Sequence, residues 1–380
     1  MSRINVMQPW LGQAEIDAVA EVISSGWVAQ GPRVAQFERE FAQSQQVAHA
    51  VAVSSCTTAL QLALVVAGVS AGDDVVVPSF SFIATANAPV YVGARPVFAD
   101  VDPLTGNLSA ETLLAALTPA TTAVIAVDQG GVPVDLDAIR AVTDPLGIVV
   151  IEDAACGVGS VYRGRPVGAG ADLTAWSFHP RKILTTGEGG MLTSPHQELA
   201  DRARRLREHA MSVSAADRHA NTLAPAEEYT EVGYNFRMTD LQAAVGIVQL
   251  ERLPVVVERR REIAAVYSAA IASIPGLRAV ADPEWGTSNF QSFWVEVGYP
   301  YPLDRDELLT ALANADISAR RGIMASHRQP AYRDRSTGEA SLAVTDQLTD
   351  STLILPIYHE LTGDDQDRVI RVLRFGAGLS

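Results

Sequence analysis

Short β-branched apolar runs recur along the first 250 residues, and a stretch with helical periodicity separates each from the next. The runs "VAHAVAV", "DDVVVPS", "RPVFADVD", "TTAVIAVDQ" and "GIVVIEDA" alternate with "TTALQLALVVAG", "FIATANAPVYVG", "SAETLLAALT" and "DLDAIRAVTD". Strands that are apolar on both faces need cover on both faces, and intervening helices supply it in a parallel sheet. An α/β sheet domain is therefore expected. "DLTAWSFH" and "GGMLTS" add two strands close enough to be hairpin-connected, and "HQELADRARRLREHA" is an amphipathic helix. Residues 211–232 lose periodicity and read as a long loop. "TDLQAAVGIVQLERL" resumes as a helix with Thr239 as N-cap. Pro254 is expected to interrupt it before "VVVERRREIAAVYSAAIASI". The chain is expected to divide into a large domain over 1–250 and a small C-terminal α+β domain over 251–380. In the latter, "SFWVEVG" reads as a strand, and "DRDELLTALANAD" and "GDDQDRVIRVLR" as helices.

A chain of 380 residues can bury two cores. Its net charge of −15 argues against nucleic acid or an anionic membrane as partner. No apolar run is long enough for a membrane span, and "MSRINVMQPWLGQAEID" lacks the apolar core of a signal peptide. Cys56 and Cys156 make neither a disulfide framework nor a metal cluster. A cytoplasmic enzyme without a metal is expected. No GxGxxG follows the first strand, which counts against a dinucleotide-binding dehydrogenase.

Lys182, in "SFHPRKILTTGEGG", is the only lysine among 29 Lys+Arg positions. Arginine matches lysine at ion pairing and phosphate binding but cannot readily offer a neutral amine; lysine can, and that amine condenses with aldehydes. Composition bias with one chance survivor is the alternative. The surroundings favour chemistry. Lys182 follows a strand and precedes the glycines of "GEGG", so it lies in a compact connection rather than on a solvated helical face. Desolvation there is expected to lower its pKa.

Other polar signals fall at strand ends, where α/β sheets bind ligands. In "SSCTTAL", hydroxyls and the N–H groups of Thr57 and Thr58 suit a phosphate at a helix start, or simply cap a βα turn. Asp153, after Glu152 in "GIVVIEDAACG", needs a cation if buried, or caps the next segment. Phe82 in "PSFSFIATANA" would stack on a planar ring, or is core. Asn235 and Arg237 in "GYNFRMTDLQAA" face a ligand or only begin a helix. A phosphate cradle, a carboxylate for a ring nitrogen, a stacking aromatic and one amine together suit pyridoxal 5′-phosphate (PLP).

"PWLGQAEIDAVAEVISSGWVAQGPRVAQFEREFA", "PSFSFIATANAPVYVGARPVFADVD", "SFHPRKILTTGEGGML" and "GYNFRMTDLQAAVGIVQLERL" resemble the DegT/DnrJ/EryC1/StrS family of PLP-dependent sugar aminotransferases over nearly the whole chain. The resemblance implies fold type I, with a mainly parallel sheet of the seven-stranded type, and a homodimer with shared active sites. It also implies these roles. Lys182 forms the internal aldimine with PLP and moves protons. Asp153 pairs with the pyridinium nitrogen. Phe82 stacks on the ring. Thr57, Thr58 and Ser177 bind the phosphate, and Asn235 reaches the partner subunit's cofactor. Cys156 stands where the family has Gln or sometimes His near the cofactor's phenolic oxygen, and a thiol is a poor donor. "VDQGG" lacks a histidine often found there, and "SARRGIMASHRQPAY" departs from a tyrosine-rich version. The implied reaction moves an amino group from glutamate or glutamine to a keto-sugar or keto-cyclitol in aminosugar or secondary-metabolite biosynthesis. Trp27, His327, Arg320 and Arg321 are candidates for the substrate pocket, each with a structural alternative. A sugar dehydratase of the same fold would carry histidine in place of Lys182. A non-catalytic regulator would not need the Lys182, Asp153 and Ser177 set.

Overall fold

The computed structural model describes residues 3–213, 227–333 and 341–379. In chain order it contains α1 (Gln13–Ser25), α2 (Pro32–Ser44), β1 (His49–Val53), α3 (Cys56–Val66), β2 (Asp74–Pro78), α4 (Ile83–Tyr91), β3 (Arg95–Ala99), α5 (Ala110–Ala116), β4 (Thr121–Val127), α6 (Leu136–Thr143), β5 (Val149–Asp153), β6 (Val161–Tyr162), β7 (Arg165–Pro166), β8 (Leu173–Ser177), β9 (Gly190–Ser194) and α7 (Gln197–Leu206). After these come α8 (Asp240–Ile271), β10 (Leu277–Ala279), β11 (Gly286–Thr287), β12 (Phe293–Val297), α9 (Arg305–Asn314), β13 (Arg320–Arg321), α10 (Ala343–Ser351), β14 (Thr352–Leu355) and α11 (Gly363–Gly376). Part of the loop expected over 211–232 lies outside the described residues.

The large sheet has seven strands in the order β1-β9-β8-β5-β4-β2-β3. Only β9 runs against the rest; it pairs antiparallel with both β1 and β8. Side-chain alternation builds a core on each face. Val150, Val124 and Ala126 point to the face covered by Phe37 and Phe41 of α2. Ile151, Ile125 and Val127 point to the face covered by Leu60 and Leu64 of α3. Both faces are therefore apolar, as the continuous runs require.

A four-stranded sheet, β10-β12-β14-β13, anchors a third core with α9 and α11. Two differences from the sequence reading stand out. The N-terminal residues fold as two helices, α1 and α2, with Pro32 at the first position of α2. In addition, α8 does not stop at Pro254 but runs through it for 32 residues. The reason is packing on both sides of the proline. Leu253 and Val256 belong to the core under the large sheet, and Ile263, Tyr267 and Ile271 to the C-terminal core. Thr239 caps the helix through the Gln242 N–H. The expected join near residue 250 thus falls within one continuous helix.

Proline in a helix interior costs about 3 kcal/mol relative to alanine. Pro254→Ala is expected to raise unfolding stability by up to about that amount, measured as a higher urea midpoint with an unchanged slope.

Candidate active site

The parallel strands of the large sheet end on one edge, and β1, β8 and β5 bring Val53, Ser177 and Asp153 there. Gly190 begins β9 between them, paired with Val53 and Ser177. A Cβ on Gly190 would lie 2.4 Å from the Ser55 carbonyl carbon and 2.6 Å from the Cys56 nitrogen. The glycine lets the start of α3 settle against the sheet edge. Ser55 caps α3, accepting the Thr58 N–H at 3.2 Å, while the Thr58 hydroxyl accepts the Ser55 N–H at 3.1 Å. Thr58 therefore spends its N–H and hydroxyl within the cap. The N–H groups of Cys56 and Thr57 are left to be satisfied from outside the helix.

Asp153 is 4% exposed. Its oxygens accept the Thr85 hydroxyl at 2.9 Å and the Ala155 N–H at 3.2 Å, and the Cys56 sulfur lies 3.9 Å away. Burial pushes its pKa up, against the Thr85 and Ala155 hydrogen bonds and the Lys182 charge. Among the described residues no ion pair forms on it. The carboxylate is hydrogen-bonded by neutral donors, and the Lys182 charge acts on it without an ion pair.

Lys182 projects from the turn after β8, and its Nζ donates to the Cys156 sulfur at 3.1 Å. Burial alone would lower its pKa, as the sequence reading expected. The Cys156 thiol, Cys56 and Asp153 outweigh burial, and the net direction is upward. Three groups able to carry negative charge surround one amine, and that reverses the expectation.

The turn is fixed from the far end of the chain. The Gln291 side chain accepts the Ile183 N–H at 2.9 Å and donates to the Arg181 carbonyl at 2.6 Å, gripping the backbone on both sides of Lys182. Asn289 donates to the carbonyls of Cys156 and Val158, both at 2.7 Å. Sequence reading missed both residues because they lie more than 100 positions from what they hold. Thr85 was missed although it sits in the stretch that supplied Phe82.

The other candidates scatter. Ser177, 9% exposed, ends β8. Phe82 is 63% exposed, so it is not core in this chain. Asn235 is exposed, on a segment tied to the start of α3 by the Ser54 N–H, which donates to the Phe236 carbonyl at 2.8 Å. Trp27 packs over Gly31 with its indole N–H on the Gln30 carbonyl, near the start of α8 rather than beside Lys182. His327 bonds Ser79 through Nδ1 at 2.7 Å and faces Asp346 through Nε2 at 3.3 Å, docking the C-terminal part on the loop after β2. Arg321 forms an ion pair with Asp306. Arg320, exposed in β13, has its pKa lowered by burial and by Arg181, which places it near the Lys182 turn.

Gly190→Ala is expected to cost about 1–3 kcal/mol of stability through overpacking. It should also weaken inorganic phosphate binding at the start of α3, read by urea unfolding and by phosphate titration.

A sequence model of the DegT/DnrJ/EryC1/StrS aminotransferase family matches residues 9–374. The chain is 41% identical over 369 residues to the spore coat polysaccharide biosynthesis protein SpsC of Bacillus subtilis, covering 96% of this chain and 95% of SpsC. The crystal structure of the aminotransferase TlmJ from Streptoalloteichus hindustanus superposes with a TM-score of 0.90 at 39% identity, over 99% of both chains. Spr1654 of Streptococcus pneumoniae in its PLP form superposes with a TM-score of 0.91 at 26% identity, over 99% of both chains. The mixed sheet with one reversed strand is fold type I, PLP is the cofactor, and the reaction class is amino transfer. The chain belongs to the DegT/DnrJ/EryC1/StrS aminotransferase family.

Proposed function

We propose that this enzyme moves an amino group from glutamate or glutamine to a keto-sugar or keto-cyclitol, with Lys182 as the proton carrier. The supporting observation is the pairing of two incomplete groups at one sheet edge. Asp153 is a buried carboxylate with no ion-pair partner among the described residues, and Lys182 is a half-buried residue whose neighbours push its pKa up. A pyridinium nitrogen would complete the first. Its positive charge would also offset one of the negative groups that keep Lys182 protonated.

The residues present fit the cofactor. Asp153 would hold the ring nitrogen, and Thr85 orients that carboxylate. Ser177 and the N–H groups of Cys56 and Thr57 would take the phosphate at the start of α3. Thr58 contributes through the cap that shapes this turn. Phe82, exposed and leading into α4, presents an aromatic face. Once bound, the cofactor would supply an electron-withdrawing ring and an aldehyde carbon that carries the amino nitrogen from donor to acceptor. Lys182 Nζ would carry a proton between the substrate carbon that bears nitrogen and the cofactor, in opposite directions in the two halves of the cycle. Cys156, a weak donor, leaves the ring's phenolic oxygen less supported than Gln or His would.

The sugar class is supported by 41% identity to a spore coat polysaccharide biosynthesis protein. Shared sites in a homodimer are supported by Asn235, exposed beside the start of α3 and without a buried role in one chain. Arg320, near the Lys182 turn, is the remaining candidate for an anionic substrate group. No helix among the described residues is long and apolar enough to cross a membrane.

The purified protein should be yellow, and borohydride should fix the cofactor on the single lysine-containing peptide. Lys182→Ala should lower turnover by about 10²–10⁴-fold, measured in single-turnover half-reactions with glutamate. A pyridoxamine-loaded enzyme that reacts with no keto-sugar or keto-cyclitol would remove the substrate assignment while leaving amino transfer intact.

A further inference from the structure

Beside Asp153 lie two carboxyl groups that the proposed chemistry does not use. Glu152 precedes Asp153 in β5, and Asp128 follows the end of β4. Ala126 pairs with Glu152 and Val127 with Asp153. With side chains alternating along a strand, Glu152 and Asp128 point to one face of the sheet and Asp153 to the other. Asp128 is fully buried and Glu152 is 2% exposed.

Donors for this pair run out. Asp128 Oδ1 accepts the Val134 N–H at 3.0 Å, and Glu152 accepts the Gly168 N–H and the Thr174 hydroxyl. Asp128 Oδ2 and Glu152 Oε2 have no donor among the described residues. The two carboxyl groups are themselves within hydrogen-bonding reach of each other. Gly157 makes the room, since a Cβ there would lie 2.6 Å from Asp128 Oδ2. The titratable groups acting on Asp128 are Glu152, Asp153 and Cys156, and none is a cation. On the outer side of Glu152, a cavity lined by Tyr162, Arg165 and Gly168 has a volume of 10 Å³, enough for one water.

We propose that Asp128 and Glu152 share one proton as a carboxylic acid–carboxylate pair, and so act as positioning residues that limit the negative charge behind Asp153 to one. Two adjacent buried carboxylates cannot both ionise cheaply, and one proton satisfies both orphaned oxygens at once. Burial, and for Asp128 the charge of Glu152, push both groups above the ordinary carboxylate range. The shared proton stands whatever the reaction; only its effect on the ring nitrogen rests on the function proposed above.

The sign of the linkage follows. An acid whose pKa is raised on folding binds an extra proton in the folded state, so stability falls as pH rises from the unfolded pKa to the folded one. Urea unfolding of the wild type, Asp128→Asn and Glu152→Gln is compared between about pH 5 and about pH 7. Each amide donates to the remaining carboxylate and replaces the shared proton. The wild type should therefore lose about tenfold in its folding equilibrium constant per pH unit relative to either variant. Parallel wild-type and variant profiles would mean that no proton is held, with water or a cation between the groups, and would overturn the pair. A difference of one proton that persists in the variants would mean two neutral acids, and would overturn it equally. If a variant fails to fold, infrared spectroscopy of the wild type decides: a deuterium-sensitive carboxylic C=O band at neutral pH supports the pair, and its absence refutes it. In cofactor-loaded protein, both variants should keep the wild-type midpoint of the visible band's pH titration, because the net charge is unchanged.

Discussion

The site is organised around the cost of burying Asp153, on which the Lys182 charge acts without forming an ion pair among the described residues. An isolated buried carboxylate is expensive, and this one is partly stabilised by a hydroxyl and an N–H. Both donors are neutral, so they orient the charge without cancelling it. Several features of the sheet edge surround that carboxylate. The start of α3 is drawn in by Gly190, the only lysine comes from the next strand, and the other acids nearby are placed on the opposite face.

Much of this was legible in the sequence because the signals are local. All seven strands of the large sheet were visible as β-branched runs, and Lys182 and Asp153 were marked by composition and by position at strand ends. What could not be read is non-local. No pattern in the sequence says that β9 inserts between β1 and β8, which is what brings Gly190 against Ser55. The Pro254 signal was local too, and it misled: packing of one helix into two cores overrode it. The pKa of Lys182 was misjudged for the same reason. Desolvation could be foreseen from a crowded turn, whereas the approach of Cys156, Cys56 and Asp153 depends on three separate connections meeting.

The candidates for the substrate pocket divide along the same line. His327 and Trp27 are polar aromatic residues on irregular segments, the kind of position that sequence reading assigns to ligands. His327 holds the C-terminal part to the loop after β2, while the Trp27 indole N–H is bonded locally to the Gln30 carbonyl. Asn289 and Gln291 have no chemistry of their own to advertise, yet they fix the two loops that carry Cys156 and Lys182. The amide side chain suits this task because it donates and accepts at once, so one residue can tie a carbonyl and an N–H on either side of a reactive amine.

Arg260 shows how that grip is anchored, and it mirrors Asp153. It is 1% exposed and has no carboxylate partner among the described residues; its guanidinium donates to the carbonyls of Phe290, Gln291 and Ile357 at 2.8–3.0 Å. Burial lowers its pKa to about 9, which still leaves it charged at neutral pH. The two buried charges differ in what surrounds them. Arg260 is met by carbonyl dipoles, which stabilise a cation and tie the ends of separate strands to α8. Asp153 is met by the Thr85 hydroxyl, the Ala155 N–H and the Cys56 thiol, with the Lys182 charge acting through space. The cation is therefore structurally complete and can serve as a fixed point for Gln291 and, through it, for Lys182.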